Sequence, residues 1–435
     1  MIDNTFILGA GMTGLAAGFA SGFPIYESNE FPGGICSSYF IKPGEKRRLL
    51  APPSDDEAYR FEIGGGHWIF GADEEISEFI RSFSPVKKYC RKASIFLQEK
   101  NLSIPYPVQN HLGFLGHELS HKIFSEISEN NRNDEKTLKT WLMKYFGQTL
   151  CDLFFFPFHE LYTAGLFSNI APQDNYKSPM NISSVKRGLS LESDGAGYNT
   201  SFIYPEDGLG NLSRCVAKKC EVNYGKKAVS IDLDSKTIKF NDNSSLEYDN
   251  IISTLPLNKM LRLTGLLNDL KMDPHTSVHV LNMGSIRGEK CPDDHWVYYN
   301  NTKSGFHRAG FYSNVDSSFL PVSSRQTNDR VCMYIEKAFP GGKKPDDKEI
   351  YEYTESVIKE FSEWGFIKDI EVVDSTWIDV AYTWSWPGSK WKEKALKILK
   401  KNNIYSIGRF GRWTFQGIAD SIKEGLNIGS IFKNF

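Results

Sequence analysis

The stretch TFILGAGMTGLAAGFAS, residues 5–21, decides the fold. Its first four residues are apolar or β-branched, which predicts a short buried strand over residues 5–8. The glycine-rich run GAGMTG comes next, and the small and apolar residues around and after it predict a helix. PIYE, residues 24–27, then predicts a second strand. A strand, a glycine turn, a helix and a second strand form the opening βαβ unit of a doubly wound sheet.

Gly9, Gly11 and Gly14 give this turn the spacing G-x-G-x-x-G. The first glycine makes the tight turn, the second lets a pyrophosphate touch the backbone, and the third lets the helix pack closely on the strand. The helix N-terminus adds amide N–H groups and the positive end of its dipole. An acid at the end of the second strand accepts the ribose hydroxyls of an adenosine. We therefore predict a dinucleotide site formed by Gly9, Gly11, Met12, Thr13, Gly14, Glu27 and Ser28.

The sequence after Glu27 favours FAD over a nicotinamide dinucleotide. It reads ESNEFPGGICSS and offers a second glycine pair, Gly33 and Gly34, followed by small residues. Glycine lets a long cofactor lie against the backbone, and a nicotinamide dehydrogenase has no obvious need for a second approach point here. The predicted cofactor is non-covalently bound FAD, in contact with Gly33 and Gly34.

Composition limits the function further. The chain has 435 residues, a formal net charge of −2 and 40% hydrophobic residues, which is room for two interleaved domains. A near-neutral charge without a basic run gives no sign of nucleic-acid binding. Seven cysteines without a CxxC pair indicate reduced thiols. The N-terminus shows neither a signal peptide nor a membrane span, so we predict a cytoplasmic protein, and no metal site is predicted.

The rest of the sequence predicts an α/β protein whose Rossmann-type FAD-binding domain is built from discontinuous segments. GGGHWIFG, residues 64–71, reads as a glycine-rich loop, and NNIYSIGRF, residues 402–410, contains a last strand. The FAD-binding domain is predicted to comprise residues 1–75, 195–262 and 395–435, with an inserted helical substrate region at 76–194 and a mixed, antiparallel-sheet substrate domain at 263–394.

Apolar spacing predicts two amphipathic helices. The first, in residues 134–150, places on one face Leu138, Trp141, Leu142, Tyr145 and Phe146. The second, in residues 350–366, places on one face Ile350, Val357, Ile358, Phe361 and Trp364. The segments 41–57 and 314–329 are predicted to be exposed loops.

Beyond the glycine motifs, the chain resembles the glutathione-reductase-type FAD proteins, in their amine-oxidase-like branch. Three segments carry this resemblance: YPEDGLGNL (204–212), KKAVSIDL (226–233) and NIISTLPL (250–257). In that branch such segments flank the flavin, lend backbone to the adenine side and close the FAD domain. The resemblance implies a cofactor contact at Val229.

Within that branch the chain is most similar to the UDP-galactopyranose mutases, especially their eukaryotic-type form. The similarity extends over nearly the whole chain but is strong only in four blocks. These are IGGGHWIFG (63–71), IPYPVQNHL (104–112), HWVYYNNTKSGFHRAGFYSN (295–314) and GRFGRWTFQGIADS (408–421).

The resemblance implies roles for residues in these blocks. His67 would lie beside the flavin, and Tyr298 and Arg308 would bind a substrate diphosphate. The implied catalytic residues are His67, Arg308 and Arg409. The further implied cofactor residues are Gly65, Gly66, His67, Gly408, Arg409, Gly417, Ala419, Asp420 and Ser421. The implied substrate residues are Tyr298, Arg308, His159, Trp384, Trp386, Arg409 and Phe415.

The resemblance also implies an unusual reaction. In this family N5 of the reduced flavin attacks C1 of the sugar and expels the nucleotide diphosphate. The sugar ring then opens and recloses through another hydroxyl, so that a pyranose and a furanose interconvert without net redox change. The implied substrate is a nucleotide sugar, and NAD(P)H is a candidate reductant for the flavin.

The chain departs from the family pattern at four positions. Phe415 and Trp386 stand where the family has tyrosines that bind the diphosphate. His159 stands in place of an asparagine, and Phe156 in place of an arginine. Each lost hydrogen bond to a ligand weakens binding by about 1 kcal/mol or more. The departures indicate either another substrate or compensation by other residues.

Several alternatives remain open at this stage. An FAD-dependent oxidase or dehydrogenase of an amine or alicyclic substrate fits the same fold, because rings beside a flavin can enclose a flat or cationic substrate. A non-catalytic flavin-binding protein is a third reading. Arg308 could pair with a surface acid, His159 could be a core histidine, and Trp384 and Trp386 could share one face of a strand that belongs to the core. The sequence leaves the sugar, the nucleotide and the oligomeric state open.

Overall fold

The computed structural model describes residues 4–129, 135–172, 180–190, 200–266 and 271–434. Its strands are β1 (Thr5–Leu8), β2 (Ile25–Tyr26), β3 (Ser38–Ile41), β4 (Tyr59–Glu62), β5 (Val86–Cys90), β6 (Ala93–Leu97), β7 (Leu102–Pro105), β8 (Ser201–Pro205), β9 (Val222–Asn223), β10 (Ala228–Asp232), β11 (Thr237–Phe240), β12 (Ser245–Glu247), β13 (Asn250–Ser253), β14 (His275–Arg287), β15 (Trp296–Tyr299), β16 (Arg308–Phe311), β17 (Arg330–Pro340), β18 (Ile367–Thr383) and β19 (Ile404–Ser406).

The α-helices are α1 (Met12–Ser21), α2 (Glu74–Arg81), α3 (His117–Ser128), α4 (Leu138–Leu150), α5 (Phe156–Tyr162), α6 (Ile182–Arg187), α7 (Leu209–Ala217), α8 (Leu257–Leu263), α9 (Tyr312–Val315), α10 (Asp347–Glu363), α11 (Trp391–Lys401), α12 (Gly408–Gly411) and α13 (Ile418–Lys433). A π-helical turn, Cys151–Phe155, joins α4 to α5. No helix in these ranges is long and apolar enough to cross a membrane.

A parallel five-stranded sheet confirms the predicted Rossmann-type architecture. Its strand order is β19-β13-β1-β2-β9, so strands from the start, the middle and the end of the chain lie side by side. β1 is central and pairs in parallel with β13 and β2. Because all its pairings are parallel, the carboxyl ends of these strands share one edge of the sheet, where ligands bind in doubly wound folds.

Two helices pack against each other through glycines beside this sheet. A Cβ atom on Gly425 of α13 would lie 2.3 Å from the carbonyl oxygen of Thr13 in α1, and one on Gly429 would lie 2.4 Å from that of Ala17. Real Cβ atoms do not approach backbone oxygens so closely. The glycines therefore set the distance between the first and the last helix of the chain.

Replacing Gly425 with alanine is expected to lower the free energy of unfolding by about 1–3 kcal/mol, because the added methyl group forces the two backbones apart. Urea denaturation of the apoprotein measures the change. Asn427→Ala on the exposed face of α13 is the matched control, and it should stay within about 0.5 kcal/mol of the wild type. Equal stability of the two variants would contradict this account of the packing.

A seven-stranded mixed sheet forms the second layer, with the order β18-β14-β17-β16-β15-β6-β7. Its pairings are antiparallel except that of β15 with β6. The segment 76–194, predicted as a helical substrate region, also contains the strands β5, β6 and β7, and the last two extend this sheet. The apolar alternation of residues 93–97 and 102–105 is short enough to be overlooked beside the helices that follow.

The predicted helix faces are confirmed, with one irregularity. On α4, four of the five predicted residues are buried and Tyr145 is half-buried, but Gly147 has φ +73° and kinks the helix. The second predicted helix is α10. The segment 314–329 is less exposed than predicted, because Phe319 is buried and stacks on the Tyr312 ring with centroids 4.9 Å apart.

Candidate functional site

A cavity of about 730 Å³ lies between the carboxyl edge of the parallel sheet, the seven-stranded sheet and the α4–α5 region. The ends of four parallel strands lead into it. Gly9 follows β1, Glu27 follows β2, Thr254 follows β13 and Gly408 follows β19, and all four residues line the cavity. Segments distant along the chain therefore form one site at the edge where the fold predicts it.

The glycines of the first turn behave as their spacing predicts. Gly9 has φ +99°, a conformation that side chains disfavour. A Cβ atom on Gly14 would lie 1.9 Å from the Gly9 carbonyl oxygen, so only glycine allows this approach of α1. Gly11 differs from both, because its Cβ atom would meet no protein atom within 4 Å while the residue lines the cavity. The space in front of Gly11 is a cradle for a ligand.

Glu27 is 5% exposed, and its carboxylate is fixed by local donors. One oxygen accepts the Ala10 amide at 2.7 Å, and the other accepts the Asn29 amide at 2.9 Å and the Ser28 hydroxyl at 3.1 Å. No lysine or arginine in the described part of the chain forms an ion pair with it. An uncompensated acid at this position suits the ribose hydroxyls of an adenosine.

The second glycine pair meets the first turn. Gly33 and Gly34 have φ +104° and +57°, and the Gly33 amide donates to the Ala10 carbonyl at 2.8 Å. Gly408 has φ +76°, and a Cβ atom there would lie 2.8 Å from the Thr13 hydroxyl. Three glycine turns from distant parts of the chain therefore surround the start of α1, which leaves backbone exposed to a ligand.

Most of the predicted cofactor residues line this cavity. They are Gly9, Gly11, Met12, Thr13, Glu27, Gly33, Gly34, Gly66, His67, Gly408, Arg409, Gly417, Asp420 and Ser421. The donors and the open glycine cradle fit FAD, with its pyrophosphate on the α1 N-terminus.

Five predicted cofactor residues lie off the cavity lining and contact other parts of the protein or solvent. Gly14 packs under the turn, and Ser28 supports Glu27. Gly65 faces the Glu336 side chain, with its Cβ position 2.8 Å from Oε1. Ala419 is 3% exposed inside the core, and Val229 on β10 is 49% exposed to solvent.

His67 lies on the cavity wall beside two arginines. Burial, Arg409 and Arg308 lower the pKa of His67 to about 4, against an opposing effect of Glu336. Its Nδ1 atom has no hydrogen-bond partner among the described residues. The ring is therefore neutral at physiological pH and has a nitrogen available to a ligand.

We expect the neutral His67 to make the apoprotein less stable in acid. An unfolded histidine binds its proton near pH 6.5, and folded His67 binds it only near pH 4, so the free energy of unfolding should fall as the pH drops between these values. His67→Gln should reduce the loss of melting temperature between pH 7 and pH 4.5. His279→Gln is a positive control, because burial also lowers the pKa of His279 to about 4. If the melting temperature of His67→Gln fell as much as that of the wild type between pH 7 and pH 4.5, His67 would not be the source of the acid sensitivity.

Arg308 lies on the cavity but is held by a buried acid. Its Nε donates to Glu336 Oε2 at 3.0 Å, and its Nη2 donates to Oε1 at 2.5 Å. Both carboxylate oxygens are therefore used by one guanidinium, and the Glu336 side chain is only 2% exposed. His307 Nε2 lies 3.6 Å from the same carboxylate. Arg308 and His307 hold the pKa of Glu336 at about 2, although burial opposes them.

Arg409 has a different environment. Its Nη2 donates to the Ala381 carbonyl at 3.2 Å and its Nη1 to the Gln416 carbonyl at 3.4 Å. Within the described ranges it forms no ion pair with an acid. The rings of Tyr382, Phe410 and Phe415 surround the guanidinium, with Phe415 nearest at 4.9 Å. The charge is available to an anion in the cavity.

Aromatic side chains form the wall opposite the glycine cradle. Tyr298 lies 5.2 Å from Tyr106 between ring centroids and 5.6 Å from Phe158. Tyr162 packs edge-on against Tyr382 at 4.7 Å and Trp384 at 5.5 Å. This part of the cavity presents ring faces and phenolic hydroxyls to a ligand.

The predicted substrate residues lie on this wall, with one exception. Tyr298, Arg308, His159, Trp384, Arg409 and Phe415 line the cavity. Trp386 lies off this lining. β18 ends at Thr383, so the two tryptophans do not share a strand face. The Trp386 indole donates to the Met272 carbonyl at 2.8 Å and carries Lys271 over its ring.

Sequence reasoning missed several residues of the site. Glu336, Tyr162 and Tyr382 were not among the predicted site residues, and Trp141 was predicted only as part of a helix face. For Glu336 the signal was the pairing of β16 with β17, which sets Glu336 opposite Arg308. That register depends on long-range pairing. No group of three or more histidine, cysteine or acidic side chains in the described ranges is arranged to hold a metal ion.

Comparison with known proteins identifies the family. The profile of the flavin containing amine oxidoreductases matches residues 23–286, which is more than half of the chain. The chain belongs to this family. A flavin is the cofactor of these oxidoreductases, and the glycine cradle described above is where this member would bind it.

The fold of this family member is similar to several solved structures. Reduced UDP-galactopyranose mutase matches with a TM-score of 0.83 and 21% identity, over 98% of this chain and 94% of that one. A CLA-producing fatty acid isomerase from P. acnes matches with 0.59 and 14%, over 98% and 97%. Putrescine oxidase bound to putrescine matches with 0.55 and 14%, over 99% and 98%. At these identities the similarity shows a shared fold.

Proposed function

We propose that this protein is an FAD-dependent mutase that interconverts the pyranose and furanose forms of a sugar within a nucleotide sugar, without net redox change. The observation that carries the proposal is the position of two arginines. Arg308 on β16 and Arg409 on α12 reach the same cavity as the glycine cradle, and both lie close enough to His67 to lower its pKa. An amine substrate would meet cations there, whereas a phosphate would be attracted.

Each residue has a role in this proposal. Arg409 and the free Nη1 of Arg308 hold the phosphate that leaves C1 of the sugar, because guanidinium groups stay charged and bind phosphate oxygens. Neutral His67 offers a hydrogen bond to the sugar or the cofactor without a further charge. Tyr298 and the surrounding rings exclude water and pack against the sugar or base.

FAD in its reduced form would supply the nucleophilic nitrogen for C1. The chain would hold the cofactor through the glycine turns, through Glu27 at the adenosine, and through the N-terminus of α13. Gly417, Asp420 and Ser421 at that N-terminus line the cavity, and a helix N-terminus stabilises negative charge. The protein thus contributes position and charge.

The fold comparison supports the same choice. The match to reduced UDP-galactopyranose mutase has a TM-score of 0.83, against 0.55 for putrescine oxidase. Both structures cover nearly the whole chain, so the difference reflects how the layers are arranged rather than missing domains.

The test uses the purified holoenzyme, chemically reduced, with a panel of sugars linked to nucleoside monophosphates or diphosphates. Chromatography and NMR should detect conversion of one pyranose into a furanose. The oxidised holoenzyme is the control and should be inactive. If the reduced enzyme converts no member of the panel, the proposal fails.

An oxidase of an amine or alicyclic substrate is the second candidate. The ring faces of Tyr162, Tyr298 and Tyr382 favour it, since such a set can enclose a flat substrate. Oxygen consumption with a substrate of this class would support it. NAD(P)H as the physiological reductant stays a prediction, tested by anaerobic reduction of the bound flavin.

A further inference from the structure

Among the described residues, the two arginines and the one paired acid at the substrate part of the cavity leave a single net positive charge. Arg308 and Arg409 are the cations that line it in the described part of the chain, and Glu336 lies directly behind the first. Glu336 lies on β17 and Arg308 on β16, where the two residues are register partners. The pair is built into the sheet and does not depend on a mobile side chain.

The pairing with Glu336 occupies most of the hydrogen-bond donors with which Arg308 could bind an anion. Two of its nitrogens, Nε and Nη2, donate to the carboxylate, which leaves Nη1 without a partner among the described residues. The guanidinium is 17% exposed, while the carboxylate is 2% exposed. A buried carboxylate in a two-point pair stays ionised, so a ligand meets a neutral pair with one free donor.

Among the described residues that line this half of the cavity, Arg409 is therefore the cation without an acidic partner. Its nearest ring is Phe415, at 4.9 Å, which carries no hydroxyl, and Trp386 lies outside the lining. Other polar groups on this wall are the phenols of Tyr162 and Tyr382, whose pKa burial raises, and the imidazole of His307, whose pKa burial lowers, so all three are neutral. Neutral donors stabilise a charge less than a cation does, particularly away from water.

We infer that this site takes a phosphate linkage that carries a single negative charge in the bound substrate, so that the substrate is a sugar linked to a nucleoside monophosphate rather than to a diphosphate, and that Glu336 determines this preference. The inference rests on the proposed function for the identity of the sugar part. The anion site itself rests only on Arg308, Glu336 and Arg409. The second phosphate of a diphosphate would bring one more buried charge without a matching cation among the residues that the structure describes.

The first experiment measures binding to the oxidised holoenzyme by titration of the flavin absorbance. The probes are methyl esters of the mono- and diphosphates of uridine, cytidine, adenosine and guanosine, which carry one and two charges. For the preferred base, the monophosphate ester should bind about tenfold tighter or more. Tighter binding of the diphosphate ester, or binding of none of the eight probes, overturns the inference.

The second experiment tests the role of Glu336. Glu336→Gln keeps the shape of the side chain and removes its charge, so the diphosphate ester should gain about tenfold in affinity relative to the monophosphate ester. The matched control is Glu371→Gln. Glu371 holds Arg330 in the same two-point geometry, at 2.7 Å and 3.0 Å, but neither residue lines the cavity. The Glu371→Gln variant should prefer the monophosphate ester to the same extent as the wild type.

The outcomes separate this inference from the proposed mutase activity. If the diphosphate ester binds tighter and the reduced enzyme converts a diphosphate sugar, the inference fails and the mutase proposal stands. If the monophosphate ester binds tighter but no sugar is converted, the anion site stands and the mutase proposal fails. An unchanged preference in Glu336→Gln overturns the role of Glu336 as the determinant, and thermal melting with FAD reports whether that variant is folded.

Discussion

Gly11→Ala is expected to lose FAD while the apoprotein remains folded. The added methyl group meets no protein atom within 4 Å, so the free energy of unfolding should change by no more than about 1 kcal/mol. The same methyl group projects into the space that a pyrophosphate needs at the backbone. Loss of two charge-assisted hydrogen bonds should weaken FAD binding on the order of 100-fold. Isothermal titration of the apoprotein with FAD measures the affinity, and urea denaturation measures the stability.

Gly14→Ala is the informative comparison for this prediction. Its methyl group would lie 1.9 Å from the Gly9 carbonyl oxygen, so this variant should lose both stability and FAD. The comparison of Gly11→Ala with Gly14→Ala therefore distinguishes a glycine that contacts the cofactor from a glycine that contacts only the protein. If Gly11→Ala bound FAD as tightly as the wild type, the cradle would not be the cofactor site.

If the proposed function is correct, Arg409→Ala should lower kcat/KM of the reduced enzyme on the order of 1,000-fold, because it removes the cavity cation that has no acidic partner among the described residues. Arg409→Lys keeps the charge but not the planar donor geometry, and should recover only part of the loss. The FAD content of each variant, read from the visible spectrum, shows whether the loss lies in the cofactor or in the substrate.

Arg412→Ala is the matched control for the arginine. It lies three residues away in the same turn, but its side chain is 53% exposed and pairs with Glu424. An exposed ion pair contributes little, so kcat/KM should stay within about threefold of the wild type. Equal losses in Arg409→Ala and Arg412→Ala would show that the turn matters for its structure rather than for the Arg409 charge.

Local motifs predicted the cofactor half of the site well. Its features are close together in the sequence: the strand at residues 5–8, the turn through Gly9 and Gly11, and Glu27. Their geometry follows from short-range sterics, because glycine dihedrals and a strand-to-helix turn are set by neighbouring residues. The same reasoning predicted Gly33 and Gly34 as a second approach point for the cofactor, and in the structure both line the cavity beside that turn.

The substrate half was harder to predict because it depends on strand register and on where strands end. Trp386 reads as part of a strand beside Trp384, but β18 ends at Thr383 and Trp386 turns toward Met272. Val229 alternates as a half-buried strand residue, yet it faces solvent on an outer three-stranded sheet. No local pattern distinguishes these outcomes, since each is decided by packing against distant segments.

By itself, the sequence determined that this chain opens with a dinucleotide-binding unit, because strand, glycine turn, helix and acid are consecutive and need only local sterics. It also marked Arg308 and Arg409 as anion-binding candidates. Only the tertiary structure decided that the two arginines differ. The pairing of β16 with β17 sets Glu336 against Arg308, whereas the turn at α12 leaves Arg409 among rings and carbonyl groups. Charge compensation depends on distances between residues far apart in the chain, and a sequence does not contain those distances.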